Sequence, residues 1–271
     1  MSDNEEDIAS KIAVEIAKEA YEDVASPTMK SAGDVLSIIP RAINAALLPL
    51  NKWILHREYQ LEATKKLLAV KLEKINPKNI VSPEAYIAVP ALQAISYSMD
   101  HPRIRDMYAN LLASSMVDSM KDNVHPSFVE IIKQMTPDEA SIIEFILLKW
   151  KAAMPLITLR KVLANSGEID VFRHFSQLYS RCPGLQVRDP KAVAVAIDNL
   201  CRLGLGYIPE DRHFVDNKWY DCFETDPYII SIKQSIHLGE KESWTIAKTM
   251  FELTSLGRSF ADSCISFDDT K

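Results

Sequence analysis

The sequence predicts a mainly α protein with a helical N-terminal domain and a winged-helix-like α+β C-terminal domain. Apolar residues recur at helical spacing through the first half of the 271 residues, whereas strand-like stretches come only near the C-terminal end. The chain has 7 glycines against 14 prolines, so prolines and helix caps divide it into elements. The predicted parts are an acidic amphipathic helix and linker at 1–30, a helical domain at 31–135 and a winged-helix-like domain at 136–271.

The first part is acidic. Residues 7–25 have the apolar spacing of an amphipathic helix, and Pro27 and Gly33 interrupt the pattern after it. Residues 1–30 contain 8 acidic and 3 basic residues. An N-terminus of this charge is not a secretory signal peptide, so we expect a cytoplasmic protein.

Residues 35–55 are the most apolar stretch and are long enough to cross a bilayer. They also contain Arg41, which costs roughly 2.5–3.5 kcal/mol at the centre of a membrane helix. We therefore expect a helix buried in a bundle, with Arg41 and Lys52 at its rim. A membrane-active or partner-binding helix is the open alternative.

Two further helices follow by spacing, at 56–75 and 103–120, and Asn76-Pro77 ends the first of them. Between them, Ser82 is predicted as a helix N-cap, and Pro90 as a kink or break in that helix. His125-Pro126 is predicted to open one more helix.

The second domain is predicted to begin at Thr136, where Thr-Pro-Asp-Glu forms a capping box. A helix-like segment follows at 169–181, and Asp189 caps a helix that ends near Leu203-Gly204. Strand-like residues then occur at Tyr207-Ile208 and at 243–253.

Thr254 is predicted to cap a closing helix. A run of helices followed by a two-stranded ribbon and a last helix is the order found in a winged-helix domain. This order completes the predicted fold class.

No catalytic or ligand-binding constellation occurs in the sequence. Motifs for phosphate loops, nucleophile elbows and zinc peptidases are absent, and no two His or Cys residues have helical ligand spacing. The four cysteines are scattered and predict reduced thiols, with Cys201 buried and inert. We therefore predict no enzyme, no cofactor and no metal site.

DNA recognition is the use that a winged helix first suggests, and the sequence disfavours it. The presumed recognition helix, 189–202, balances two basic against two acidic residues, and Asn199 and Arg202 alone could meet base edges. The net charge of the chain is −6. Nucleic acid is therefore not an expected partner, and a DNA-binding regulator is kept only as an alternative.

Long phrases of the sequence resemble the Abi-alpha family of abortive-infection proteins. The phrases are DVLSIIPRAINAALLPLNKWI, VPALQAISYSMD, RDMYANLLASSM, HPSFVEIIKQMTPDEA and FELTSLGRSF. The resemblance implies a bacterial protein that stops phage propagation. It carries no catalytic residue over to this chain.

The predicted function is anti-phage defence through contact with a protein partner of the host or the phage. A membrane-perturbing effector that uses the 35–55 helix is the alternative, and self-association into a homo-oligomer is left open. The candidate interaction residues are Arg41, Trp53, Tyr108, His125 and Arg202.

Overall fold

The computed structural model describes residues 32–47, 58–98, 101–151 and 153–267. The described chain is a mixed α+β protein that divides into two compact units. Unit 1 is Met1–Gln134 together with Asp262–Lys271, and unit 2 is Met135–Ala261. The helix predicted at 7–25 lies outside the described residues.

Unit 1 is helical where it is described. Its helices are α1 (Ala32–Leu47), α2 (Glu58–Lys71), α3 (Ala85–Tyr97), α4 (Pro102–Ser115) and α5 (Ser127–Lys133), with 3-10 turns at Pro77–Asn79 and Lys121–Asn123. The helix α4 packs against α2, α3 and α5, and every residue from Met107 to Met116 is buried. The core of unit 1 is therefore built around α4.

The described part of the apolar stretch is a core helix. Ile39, Ile43 and Leu47 of α1 are buried, and α1 packs against α2, while Arg41 is exposed. Lys52 and the rest of 48–57 lie outside the described residues. Within the described ranges, every helix is too short or too polar to cross a lipid bilayer.

The start and the middle of α3 test two predictions for unit 1. The helix α3 begins at Ala85 with Glu84 as its N-cap, because the Ser82 hydroxyl instead donates a hydrogen bond to the Ala46 carbonyl oxygen at 2.8 Å. The helix runs through Pro90 without a break, so of the two predicted alternatives, a kink or a break, the break is excluded. The neighbouring Ala88 and Ala91 are fully buried, so this part of the helix belongs to the core of unit 1.

The chain returns to unit 1 through a π-helical turn at Ala261–Ile265. The amide nitrogen of Asn110 donates to the carbonyl oxygens of Cys264 and Ile265, at 3.0 and 3.2 Å. The Ser114 hydroxyl donates to the Ser263 carbonyl oxygen at 3.0 Å. These buried bonds fasten the returning segment to α4.

Unit 2 combines helices with a sheet. Its elements are α6 (Pro137–Trp150), β1 (Ala153–Val162), β2 (Glu168–Phe175), α7 (Leu178–Arg181), α8 (Pro190–Arg202), β3 (Gly206–Tyr207), α9 (Lys218–Glu224), α10 (Pro227–Ser235), β4 (Ser243–Leu253) and α11 (Ser255–Phe260). The strands pair antiparallel in the order β2-β1-β4-β3. The long strands β1 and β4 form the centre of this sheet.

The structure corrects the helix-like prediction at 169–181 and extends the predicted ribbon. Residues 168–175 form β2, which pairs with β1, and only the single turn α7 follows. Across this pair, the Arg160 guanidinium donates to the Asp170 carboxylate at 2.8 Å. The two-stranded ribbon is therefore part of a four-stranded sheet.

The predicted helix caps of unit 2 are confirmed. The Thr136 hydroxyl accepts from the Glu139 N–H, while the Glu139 carboxylate accepts from the Thr136 N–H at 2.6 Å. The Asp189 carboxylate caps α8, and the Thr254 hydroxyl caps α11. Each cap satisfies backbone donors that the first helical turn leaves without a partner.

Candidate functional site

A groove in unit 2, which we call the tryptophan groove, is the best-formed candidate site among the described residues. Its volume is about 250 Å³. The lining side chains come from α6, β1, α7 with the residues before it, and α9. They are Phe145, Trp150, Met154, Pro155, Ser176, Gln177, Leu178, Arg181, Lys218, Trp219, Cys222 and Phe223.

Local sequence features place the two tryptophans. The helix α6 ends at Trp150 because Lys151 adopts a left-handed conformation with φ of 50°. The helix α9 starts beyond Asp216, whose carboxylate accepts from the Lys218 N–H at 3.0 Å, and this start positions Trp219. The ends of two separate helices therefore bring Trp150 and Trp219 to one groove.

The aromatic rings form the wall of the groove. The Trp150 and Trp219 ring centroids lie 5.2 Å apart, with the planes inclined by 56°. The Phe214 and Trp219 ring centroids lie 5.6 Å apart. The Trp219 side chain is nevertheless 44% exposed, so it presents apolar surface to any molecule that enters.

The side chains of Gln177, Tyr179 and Asp226 form hydrogen bonds beside the aromatic rings. The Gln177 side-chain nitrogen donates to the Cys222 carbonyl oxygen at 3.1 Å and to the Asp226 carboxylate at 3.0 Å. Burial and the hydrogen bond to Asp226 raise the pKa of Tyr179 to about 12, so this hydroxyl stays a donor at neutral pH. The side-chain oxygen of Gln177 is buried and has no hydrogen-bond partner within the described structure.

The charged residues that line the described groove are Arg181 and Lys218, both positive. No hydrogen-bond acceptor among the described residues contacts the Arg181 guanidinium. Lys218 has only a loose ion pair with Asp216, at 3.8 Å, and its side chain is largely exposed. The carboxylates of Asp216 and Asp226 are not part of the lining and contact Lys218 and Gln177.

The thiols of Cys222 and Cys201 are poor nucleophiles. Burial raises the pKa of the Cys222 thiol, and the charge of Arg181 offsets only part of this effect. Cys201, which was predicted to be buried, is only partly buried, and this burial raises the pKa of its thiol to about 11. Both thiols are therefore protonated at neutral pH, and the groove is suited to binding rather than to thiolate chemistry.

The described candidate residues from the sequence are not brought to this groove. Arg41 is exposed on α1, and Tyr108 is a core residue whose hydroxyl lies 3.4 Å from the Val129 carbonyl oxygen. The His125 ring accepts from the Ser127 N–H before α5, and Arg202 bonds the Asn199 side chain at the end of α8. Trp53 lies outside the described residues.

The structure also pairs His174 with Asp198, which sequence reasoning missed. The His174 ring contacts the Asp198 carboxylate on α8, and its backbone has a φ of 55°. The two residues are 24 positions apart, so no local motif could have shown the pair. No group of three or more metal-ligating side chains occurs in the described part of the chain.

The comparison with family models covers most of the chain. The model of the family described as abortive infection alpha matches residues 56–264. The chain belongs to this family. All residues of the tryptophan groove fall inside the part that matches the abortive infection alpha family. A search of curated proteins finds no match, and a search of solved structures finds none either.

Proposed function

We propose that the chain is a cytoplasmic defence protein of bacteria that stops phage propagation by binding a protein partner in the tryptophan groove. Membership of the abortive infection alpha family supports the defence role. The composition of the groove supports binding of a protein there, because aromatic residues and two cations line it together. Tryptophan and arginine are the residues that most often dominate the energy of protein interfaces.

In this proposal the protein acts without catalysis. The thiols of Cys201 and Cys222 are held in their protonated form, which supports binding over nucleophilic chemistry. Burial of Ile43 and Leu47 in unit 1 supports a structural role for α1 over a membrane-perturbing one. The partner is a protein of the host or the phage.

We extend the proposal to the architecture of unit 2. The order α8, β3, β4 and α11 supports a winged-helix-like arrangement in which α9 and α10 are inserted between β3 and β4. The insertion supplies Lys218 and Trp219 to the groove. A winged-helix-like module would then serve protein contact, since fold alone does not fix function.

Phage plating tests the proposed function. Cells that express the wild-type chain should reduce plaque formation by a susceptible phage, whereas Trp219→Ala and Lys218→Glu should lose most of this protection. Tyr86→Ala, which removes an exposed aromatic ring from α3, is the matched control and should protect fully. Thermal melting confirms that each variant is folded. Full protection by folded Trp219→Ala and Lys218→Glu variants would refute the proposal.

A further inference from the structure

The size of the tryptophan groove limits what it can hold. Pockets for drug-sized ligands and cofactors span about 300–1,000 Å³. A volume of about 250 Å³ falls below this range. The groove is therefore matched to one large side chain and its immediate neighbours, rather than to a whole cofactor.

The walls select an apolar side chain. Phe145, Trp150 and Met154 supply apolar surface inside the groove, and Trp219 supplies it at the exposed edge. Leu148, which is 75% exposed, follows Phe145 on α6 at a spacing of three residues, so the two are neighbours on the helix surface. The apolar surface thus continues past the rim, and a bound chain would extend along it.

The rim selects negative charge. The guanidinium of Arg181 has no acceptor within the described structure, and no carboxylate is among the residues that line the groove. The charge of Arg181 acts on a residue of the lining, since it lowers the pKa of the Cys222 thiol, whereas Asp226 and Asp221 raise this pKa. A guanidinium in this setting matches the two oxygens of a carboxylate.

We propose that the tryptophan groove binds a protein segment that presents a large apolar side chain next to a carboxylate. The apolar side chain fills the space beside Trp150 and Trp219, and the carboxylate pairs with Arg181, with Lys218 adding to the attraction. This inference rests on the proposed function and specifies the chemistry of its partner.

An array of immobilised hexapeptides tests this specificity on the full-length protein. Each peptide carries one Trp, Phe or Leu, with either Glu or Gln at each neighbouring position. Peptides with Glu should bind roughly two- to fivefold more tightly than their Gln counterparts, the difference expected from one ion pair at an exposed rim. The preference should shrink at high salt, because the contact lies at an exposed rim.

Two arginine variants test whether Arg181 causes the preference for Glu peptides. Arg181→Gln should remove the preference for Glu while weak binding of the apolar side chain remains. Arg188→Gln is the matched control, because its guanidinium is exposed and bonds the Tyr179 carbonyl oxygen instead of lining the groove. This variant should keep the preference. Equal binding of Glu and Gln peptides, or no binding anywhere on the array, would overturn the inference.

The two proposals fail separately. If Trp219→Ala cells lose protection but the array shows no preference for Glu, the proposed function stands and the partner chemistry is wrong. If the array shows the preference but folded Trp219→Ala and Arg181→Gln variants protect cells fully, the groove binds such segments without serving defence, and the proposed function is wrong.

Discussion

At the residue scale, Asn110 closes a buried network in unit 1. It lies in the middle of α4 with 2% of its surface exposed, and its side chain serves two carbonyl groups of the returning segment. A buried carbonyl without a donor costs far more than an exposed one, because it has lost its water partners. The polar side chain at this buried position of α4 is therefore structural.

Replacing Asn110 with Ala should lower the free energy of unfolding by about 1–3 kcal/mol, since it leaves the carbonyl groups of Cys264 and Ile265 without their donor. Urea unfolding followed by circular dichroism measures the change. Asn123→Ala removes an exposed amide from the same unit and should change stability by less than about 0.5 kcal/mol. Similar losses in the two variants would contradict the role given to Asn110.

At the scale of elements, charged side chains tie β1 to β2. Burial acts to raise the pKa of Asp170, but hydrogen bonds from Arg173 and Arg160 outweigh it and hold this pKa below its usual value. The ionised form is thus favoured in the folded state. The ionised Asp170 carboxylate stabilises the folded state above its unfolded pKa of about 3.9. This stabilisation is lost as pH falls through the lower pKa that the carboxylate has in the folded state.

Asp170→Asn should therefore destabilise the protein at pH 7. Its deficit against the wild type should shrink as pH falls below the unfolded pKa of about 3.9 and vanish once the wild-type carboxylate is protonated. Chemical unfolding at a series of pH values measures this. Asp221→Asn, a change at an exposed carboxylate on α9, should show no such deficit at any pH. A deficit for Asp170→Asn that persists unchanged at low pH would show that the ion pairs are not its cause.

A second prediction at this scale concerns the helix α1. Leu47 is 1% exposed, so Leu47→Asp places a charge without a partner in the core. Loss of apolar burial alone costs roughly 1.5–3 kcal/mol, and the buried charge adds to it, so soluble yield and melting temperature should both fall. Asn44→Asp puts the same charge on the exposed side of α1 and should melt normally.

Two observations together would contradict the structural role of α1. A Leu47→Asp protein that melts like the wild type, combined with wild-type protein that releases dye from anionic vesicles, would favour a membrane-active helix.

The sequence predicted most of the elements because their signals are local. The capping box at Thr136 and the strand at 243–253 depend on residues within a few positions of each other. The strand β2 was missed because its partner, β1, decides its conformation, and that pairing is tertiary. The tryptophan groove was missed for the same reason, since Trp150 and Trp219 meet only after the chain has folded.

At the scale of the whole molecule, the charge distribution argues against DNA. The net charge is −6, and within α8 the Asn199 side chain is committed to the buried Glu139 carboxylate at 2.7 Å. A retardation assay with duplex DNA at about 150 mM salt should therefore show no tight, sequence-specific complex. Arg202→Ala should accordingly leave phage protection intact. A specific complex at nanomolar concentration would restore the DNA-binding alternative.

The bonds from α4 to the returning segment also order events while the ribosome makes the chain. All of unit 2, residues 135–261, is translated between α4 and the carbonyl groups that Asn110 and Ser114 bind. The donors of Asn110 and Ser114 in the nascent unit 1 therefore lack their protein partners until residues 263–265 are made, whereas unit 2 is complete at residue 261. Unit 2 can thus complete its fold first, and unit 1 closes only behind it.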